Sequence, residues 1–505
     1  MPGLALNEDD SHFYFSRTAD QMTVEGLKEM VDHYASPQMR EILFNPNAMR
    51  VSCASTVWDP IWKGYDPDAG LDQPLFAEHR KSDPDIDVSG VQRWVYNAWL
   101  LDQRKINPYE VWLAYTREKG ISAWISMRMN DVHDVHNPGS VLHADLWRNR
   151  PDLRRVPYRF ETWPDRAFDY GQKEVREYHL ALIKEYFERF DLDGLELDWM
   201  RFGYHFRPGH EERGRKLLTE FLAEVRRLAK DAAERLGHPV NVGARVPARP
   251  QTARGLGMDA IEWARLGLVD MVVPTPFWTT SDFDIPIEQW KELLCGLPVT
   301  LAAGLELGIA PYPQAWQAGR MSNTAETVRG AAASFFHRGA DRLYLFNYMD
   351  SDTTVDETTD YHQILHQAGS IETAIAHPRR HVVTFTDTWP PGDPMPLALP
   401  TECRKGKTAA FRIHIGPKPK DRSARVFIGL GEAGNRDGRA LEVRVNGELC
   451  SASDAPSGSV PKIVKETAGF DIDVSALNDA YNVVEVTGKS DQPHQIVWAE
   501  IRIGR

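Results

Sequence analysis

The segment with the most chemical potential is Asp193-Gly194-Leu195-Glu196-Leu197-Asp198-Trp199-Met200-Arg201-Phe202. Side chains alternate across a strand, so Leu195 and Leu197 share one face while Glu196 and Asp198 share the other. Two carboxylates at that spacing repel, and the proton affinity of at least one rises unless a cation lies near. Acids whose proton affinities are driven apart suit general acid–base or nucleophilic work. Asp198, nearer the strand end, is the first catalytic candidate. Glu196 either tunes it or exchanges roles with it, and the structural alternative for Glu196 is an ion pair with a core arginine. Further along, Thr300, Ala302, Gly304 and Glu306 alternate with Val299, Leu301, Ala303 and Leu305. Glu306 therefore continues a face of small residues, and it is the expected second acid. The plain alternative is a surface glutamate just past the strand. Asp131 and Asp282 are its rivals.

A second polar cluster runs from Ser126 to His136. If Ser126 faces inward, Arg128 and Asn130 follow it. Asp131, His133 and His136 are metal-ligand types, but H-x-x-H on a loop without a second ligand set is a weak metal signal. Neither a metal nor a cofactor is expected, and binding of sugar hydroxyls by Asn130, Asp131 and His133 is. Arg128, Arg201 and Arg245 suit bidentate contacts to an anionic group. The alternative use of these arginines is to neutralise Glu196, Asp198 and Glu306. The chain holds 15 Trp, and Trp199, Trp278 and Tyr348 fall just past strand ends, where they are expected as stacking faces for sugar rings.

These residues need a scaffold. Short Val/Leu/Ile-rich runs alternate with longer amphipathic stretches, the pattern of β/α units feeding a parallel sheet. Strands are expected near Arg50–Ser55, Ile121–Met127, Tyr158–Phe168, Leu192–Asp198, Val240–Val246, Val269–Thr275, Val299–Gly304 and Arg342–Asn347. Helical spacing marks Lys173–Phe190 and Arg213–Leu236, among others. The fold class expected is α/β, a (β/α)8 barrel spanning residues 49–376, with residues 1–48 as a helix-and-loop extension. A doubly wound open sheet is the competitor, but Val51–Asp59 lacks the Gly-rich loop that usually follows its first strand. From residue 377 to 505 helical periodicity fades into short strands and Gly/Pro/Asn/Asp clusters, with Asn446-Gly447 as a hairpin signal. An accessory all-β sandwich is expected there.

The Asp193–Phe202 segment also resembles the fourth-strand motif of glycoside-hydrolase-like barrel proteins, in which D-G-x-x-x-D is followed by an aromatic residue and often R-F-P. Upstream, Asp169-Tyr170-Gly171 and Glu174-Val175-Arg176-Glu177-Tyr178 resemble the stretch that opens their third helix. The resemblance covers about Asp169–Phe202 closely, the rest of the barrel loosely, and the C-terminal part not at all. It implies a (β/α)8 fold, a carbohydrate substrate and a catalytic acid at Asp198. The strand is also similar to the chitinase-type D-G-x-D-x-D-x-E. There Glu196 replaces the middle Asp and Met200 the catalytic Glu, so substrate-assisted chemistry is not expected. In the starch-enzyme pattern, Glu196 stands where an arginine belongs.

Net charge is −13, which argues against a nucleic-acid-binding face. No apolar run is long enough to span a membrane, and the four cysteines lie far apart. No leader segment is visible at the start. That fits a cytoplasmic chain, or an exported one whose leader is already removed. The expected partner is an oligo- or polysaccharide, neutral or anionic, with any anionic group on it met by the arginines; the sequence assigns no oligomeric state. The expected activity is glycoside hydrolysis by paired carboxylates. The alternatives are a carbohydrate-binding barrel without catalysis and a metal-dependent lyase or isomerase.

Overall fold

The computed structural model describes residues 2–70, 72–81, 87–350, 361–390, 393, 396–454 and 458–504. Eight parallel strands close into a barrel: β1 (Gly3–Glu8), β2 (Met39–Phe44), β3 (Ser122–Arg128), β4 (Gly194–Asp198), β5 (Asn241–Pro247), β6 (Met271–Thr275), β7 (Thr300–Leu305) and β8 (Arg342–Phe346). Each strand pairs with its neighbour in sequence, and β8 closes on β1. Helices cover the outside. The longest, Glu211–Leu236, buries Leu218, Phe221, Leu222, Val225, Leu228 and Ala229 on one face, and ends at Gly237 with φ 78°. Among the described residues no helix is long and apolar enough to cross a membrane.

Two expected strands and one expected boundary are corrected. Residues 1–48 are no extension, since they supply β1 and β2. Arg50–Ser55 forms only isolated bridges at Val51, and the Arg50 guanidinium is committed to the His143 carbonyl at 3.0 Å. Tyr158–Phe168 is a loop with one short 3-10 turn, and Tyr158 is 84% exposed. β2 carries Arg40 and Glu41 and so lacks a long apolar run. Glu41 lies in the barrel because Arg342 of β8, 301 residues away, pairs with it at 2.7 Å.

Side-chain size is matched across the lumen. Trp124, Met271, Val273, Tyr344 and Phe346 form a buried cluster with Ala5, Leu43 and Ala302. Gly194 faces Trp124, and a Cβ there would lie 2.4 Å from the indole. A Cβ at Gly304 would lie 2.3 Å from Thr275 Oγ1. Glycine in these strands is therefore a packing requirement. Asp193 has a similar local task, because its carboxylate accepts the Ala123 N–H at 2.8 Å.

After the barrel, β9 (Arg379–Val382), β10 (Thr401–Cys403), β11 (Thr408–His414), β12 (Ala424–Gly434), β13 (Leu441–Val445), β14 (Glu448–Leu449), β15 (Ser451–Ser453), β16 (Glu466–Ile472), β17 (Tyr481–Gly488) and β18 (His494–Ile503) make two antiparallel sheets. One has the order β9-β18-β12-β16-β15, with β10 also on β18; the other runs β11-β17-β13-β14. Residues of both sheets, such as Val426, Ile501, Phe411 and Val484, share one apolar cluster. The expected hairpin is present, with positive φ at Asn446 (54°) and Gly447 (88°).

The packing of Gly194 gives a test. Gly194→Ala is expected to lower the melting temperature by several degrees through overpacking. The double variant with Trp124→Leu should recover part of that loss; equal melting in wild type and Gly194→Ala would remove the steric account.

Candidate functional site

Register aligns the charged residues. Arg128 of β3 pairs with Asp198 of β4, and Asp198 pairs with Arg245 of β5. Both are lumen positions, as alternation requires. Arg245 Nη1 donates to Asp198 Oδ1 and Oδ2 at 3.1 and 3.2 Å, and its Nη2 donates to Glu306 Oε1 at 3.2 Å. One guanidinium thus spans both candidate acids. It lies over the Phe346 ring, 3.6 Å from the centroid. Asp198 Oδ1 also accepts the backbone N–H groups of Met200 and Arg201, each at 2.9 Å. All its contacts are donors, and it is fully buried.

Glu306 differs. It is 2% exposed, and among the described residues no group bonds its Oε2. Its backbone carbonyl is held by Ser281 Oγ at 2.7 Å, Asn323 Nδ2 at 2.7 Å and Tyr348 O–H at 2.9 Å. Burial pushes its carboxyl up to about 7, against the opposing pull of Arg245, Arg201 and Arg320. Glu196 is likewise pushed up to about 7, by burial and then by the Asp198 charge. Its Oε1 accepts from Ser126 Oγ and Tyr344 O–H, both at 2.7 Å, while Oε2 is buried without a partner. The alternative of a direct arginine pair for Glu196 is not what these contacts form.

Nearer the rim, Arg128 binds Asp9, Asp10 at 2.9 Å and Asp131 at 3.5 Å. His133 Nδ1 meets Asp131 at 2.9 Å, and its Nε2 faces Arg201 Nη2 at 2.8 Å. A guanidinium can only donate, so Nε2 accepts and Nδ1 donates to Asp131. Burial raises the Asp131 carboxyl, but His133 and Arg128 outweigh it and hold it at about 2. Asp131 is thus a poor proton donor. His136 lies against Phe160, with ring centroids 4.8 Å apart, so the two loop histidines point to separate tasks. Asn130 ties loops together through Phe168 and Tyr204 backbone groups. Asp282 is buried against Arg249 at 3.1 Å and Thr386 at 2.6 Å.

Three expectations for substrate contact are corrected. Trp199 is fully buried among Tyr170, His205, Phe221 and Trp263, so its ring offers no stacking face. Tyr348 is also fully buried and positions Glu306 instead. Arg128 and Arg245 are spent on internal carboxylates, which leaves neither free to meet an anionic substrate group.

Trp278 is 39% exposed, and it makes an edge contact with Trp316, itself 36% exposed, at 5.0 Å. A chain of ring contacts continues through Phe277, Phe202 and Trp163. Arg320 donates to the Trp278 carbonyl at 3.0 Å. The Trp278 turn is held from the C-terminal part, where one carboxylate, Asp387, accepts the N–H groups of Phe277, Trp278 and Thr279, each at 2.8 Å.

Asp9, Asp10, Trp316, Arg320 and Asp387 were not singled out from the sequence. For the first two a signal existed: Gly3-Leu-Ala-Leu-Asn-Glu-Asp-Asp is a short apolar strand ending in acids. Burial raises Asp10 well above the ordinary range against the pull of Arg128, and its Oδ2 lacks a partner.

No family model and no curated protein matches the chain. Among solved structures it is similar to a cycloisomaltooligosaccharide glucanotransferase from Paenibacillus sp. complexed with cycloisomaltoheptaose, at 9% identity and a TM-score of 0.33, over 99% of this chain and 57% of that one. The chain thus spans little more than half of that protein. It is also similar to the PgaB (BpsB) glycoside hydrolase domain from Bordetella bronchiseptica, at 11% identity and a TM-score of 0.41, over 74% of this chain and 99% of that one. A GH113 β-1,4-mannanase gives 11% identity and a TM-score of 0.36, over 74% of this chain and 97% of that one. No residue role passes from these proteins to this chain.

Two outcomes are expected from the site. The folded protein holds the Glu196 proton more tightly than the unfolded chain, whose value is 4.5. Its contribution to stability is full below about 4.5 and falls as pH rises toward about 7. Melting temperatures of Glu196→Gln should therefore decline less than wild type across that window. Separately, Asp387→Ala should raise amide hydrogen exchange at residues 277–279 by about tenfold or more, since hydrogen bonds to a charged group contribute roughly 1.5–3 kcal/mol. Unchanged exchange would remove Asp387 from the account of the Trp278 turn.

Proposed function

We propose that the chain is a glycoside hydrolase acting on an oligo- or polysaccharide at the barrel mouth. The observation that carries this reading is the contrast between two carboxylates sharing one guanidinium. Glu306 is raised to about 7 with Oε2 unbonded, whereas Asp198 accepts only from donors. Acids in such opposed settings divide into proton donor and nucleophile or base.

In this reading the Glu306 proton passes to the glycosidic oxygen as the bond to the anomeric carbon breaks. Asp198 then either takes a proton from the water that attacks that carbon, or bonds to the carbon itself, in which case a water that gives its proton to the Glu306 carboxylate breaks that ester bond and frees Asp198. Arg245 stays with Asp198, where it makes two bonds, and gives up its single 3.2 Å bond to Glu306 when substrate enters. Glu196 tunes Asp198 by its charge. Trp278 and Trp316 supply the sugar-stacking face. The two C-terminal sheets are read as a β-sandwich of residues 377–505 that braces the Trp278 turn.

A second reading, a carbohydrate-binding barrel without catalysis, is favoured by the complete burial of Asp198. Neutral and anionic oligosaccharides, offered to wild type, Asp198→Asn and Glu306→Gln, separate the two. Hydrolysis requires turnover by wild type and a loss of about 10²–10⁴-fold in each variant, the usual reach of acid–base catalysis. The acid must be protonated, so kcat/KM should fall as pH rises through about 7, and Glu306→Gln should lack that limb. Sugar binding without turnover in wild type would instead support the second reading, and full turnover in both variants would overturn the residue assignment.

A further inference from the structure

Although the chain is acidic overall, at −13, one buried guanidinium makes no ion pair among the described residues. Arg379, the first residue of β9, is 2% exposed. Its Nη2 donates to the Pro417 carbonyl at 3.1 Å, and its Nε is buried without a partner. The next residue shows the usual solution, because Arg380 is paired with Glu500 at 2.8 Å. Arg379 and two further cations, Lys420 and Arg422, line a cavity of about 980 Å³ where the last barrel helix, Ile371–Ile375, meets the loop between β11 and β12.

Among the described residues none of the three is ion-paired. The bond Arg422 makes is to the Ala376 carbonyl. Lys418, also on the wall, donates to the Ser475 carbonyl at 3.0 Å. One acid, Asp421, lines the cavity, and its residue is exposed. Burial, followed by the charge of Arg422, draws the Arg379 guanidinium down to about 10. Of the three, Arg379 is the buried one, and a buried guanidinium with no ion-pair partner among the described residues is an unfavourable arrangement unless an anion meets it.

Three cations lining one cavity carry more charge than its one carboxylate balances, and guanidinium forks match tetrahedral oxyanions well. The volume lies within the roughly 300–1,000 Å³ of small-molecule sites, far beyond a bare ion. Ile375, Pro378 and Pro419 give the cavity an apolar wall. We propose that this junction cavity binds an organic phosphate or sulfate ester, with the oxyanion on Arg379, Lys420 and Arg422 and the organic body against the apolar wall. The site shares no lining residue with the barrel mouth and does not depend on the hydrolase reading.

The test is calorimetric titration of the full chain with glucose 6-phosphate, glucose 6-sulfate, inorganic phosphate and glucose. Saturable binding of an ester, at least tenfold tighter than inorganic phosphate and absent for glucose, is the expected result. Whichever ester binds more tightly identifies the oxyanion. Arg422→Gln and Lys420→Gln, both at accessible positions, should each weaken it at least tenfold. Arg379→Gln should abolish it, with its folding checked by thermal melting. Affinity should fall as salt rises, and Glu306→Gln should bind as wild type does. Esters that bind no tighter than glucose, or equally well to the Arg422 and Lys420 variants, would overturn the proposal. Inorganic phosphate binding as tightly as the esters would overturn the organic part and leave a bare-ion site.

Discussion

Arg245 is the interaction on which the barrel mouth depends. Two carboxylates from different strands, Asp198 of β4 and Glu306 just after β7, are buried on either side of it. Left to themselves they would repel in a medium that screens poorly. A guanidinium is the side chain suited to the gap, since its planar fork offers a separate nitrogen to each partner. The Phe346 ring beneath it supplies a cation–π face without competing for hydrogen bonds. Removing one partner of a buried ion pair typically costs about 3–5 kcal/mol, so the three residues stand or fall together. The same contacts give the carboxylates unequal settings, and the proposed chemistry rests on that inequality.

Around this centre the barrel arranges neutral support. Ser126 and Tyr344 hold Glu196 without adding charge, while Ser281, Asn323 and Tyr348 grip the Glu306 backbone rather than its carboxyl. Glu306 is thereby fixed in place with one oxygen left unbonded. The rim uses a different device: Arg128, Asp131, His133 and Arg201 form a relay whose donor and acceptor order is set by the guanidinium at its end.

The C-terminal part is tied to the barrel by specific contacts. Asp387 anchors the Trp278 turn, and Asp284 of the barrel side receives Arg338 at 3.2 Å, Arg412 at 2.9 Å and the Tyr481 hydroxyl at 3.0 Å. Charge is balanced at that contact, because Glu288 takes a second nitrogen of Arg338 at 2.7 Å. It is not balanced at the Arg379 cavity, and the difference is why one junction reads as a brace and the other as a receptor.

Where a strand carries its own periodicity, the chain alone located it: β3 through β8 fall close to their expected ranges, as does the helix Lys173–Arg189. Alternation alone also put Glu196 and Asp198 on one face and aligned Glu306 with Gly304 and Ala302. β2 escaped because its Glu41 is tolerated only through Arg342, 301 residues away, and β1 because it is short and ends in Glu8, whose carboxyl is held by His12 and Tyr34. Residue type likewise marked Trp199, Trp278 and Tyr348 alike as strand-end aromatics, yet only Trp278 reaches solvent. Sequence period fixes which way a side chain leaves its own strand. What that side chain then meets, whether a guanidinium, a helix or open space, is set by long-range closure of the barrel, because burial and charge pairing are properties of neighbours in space.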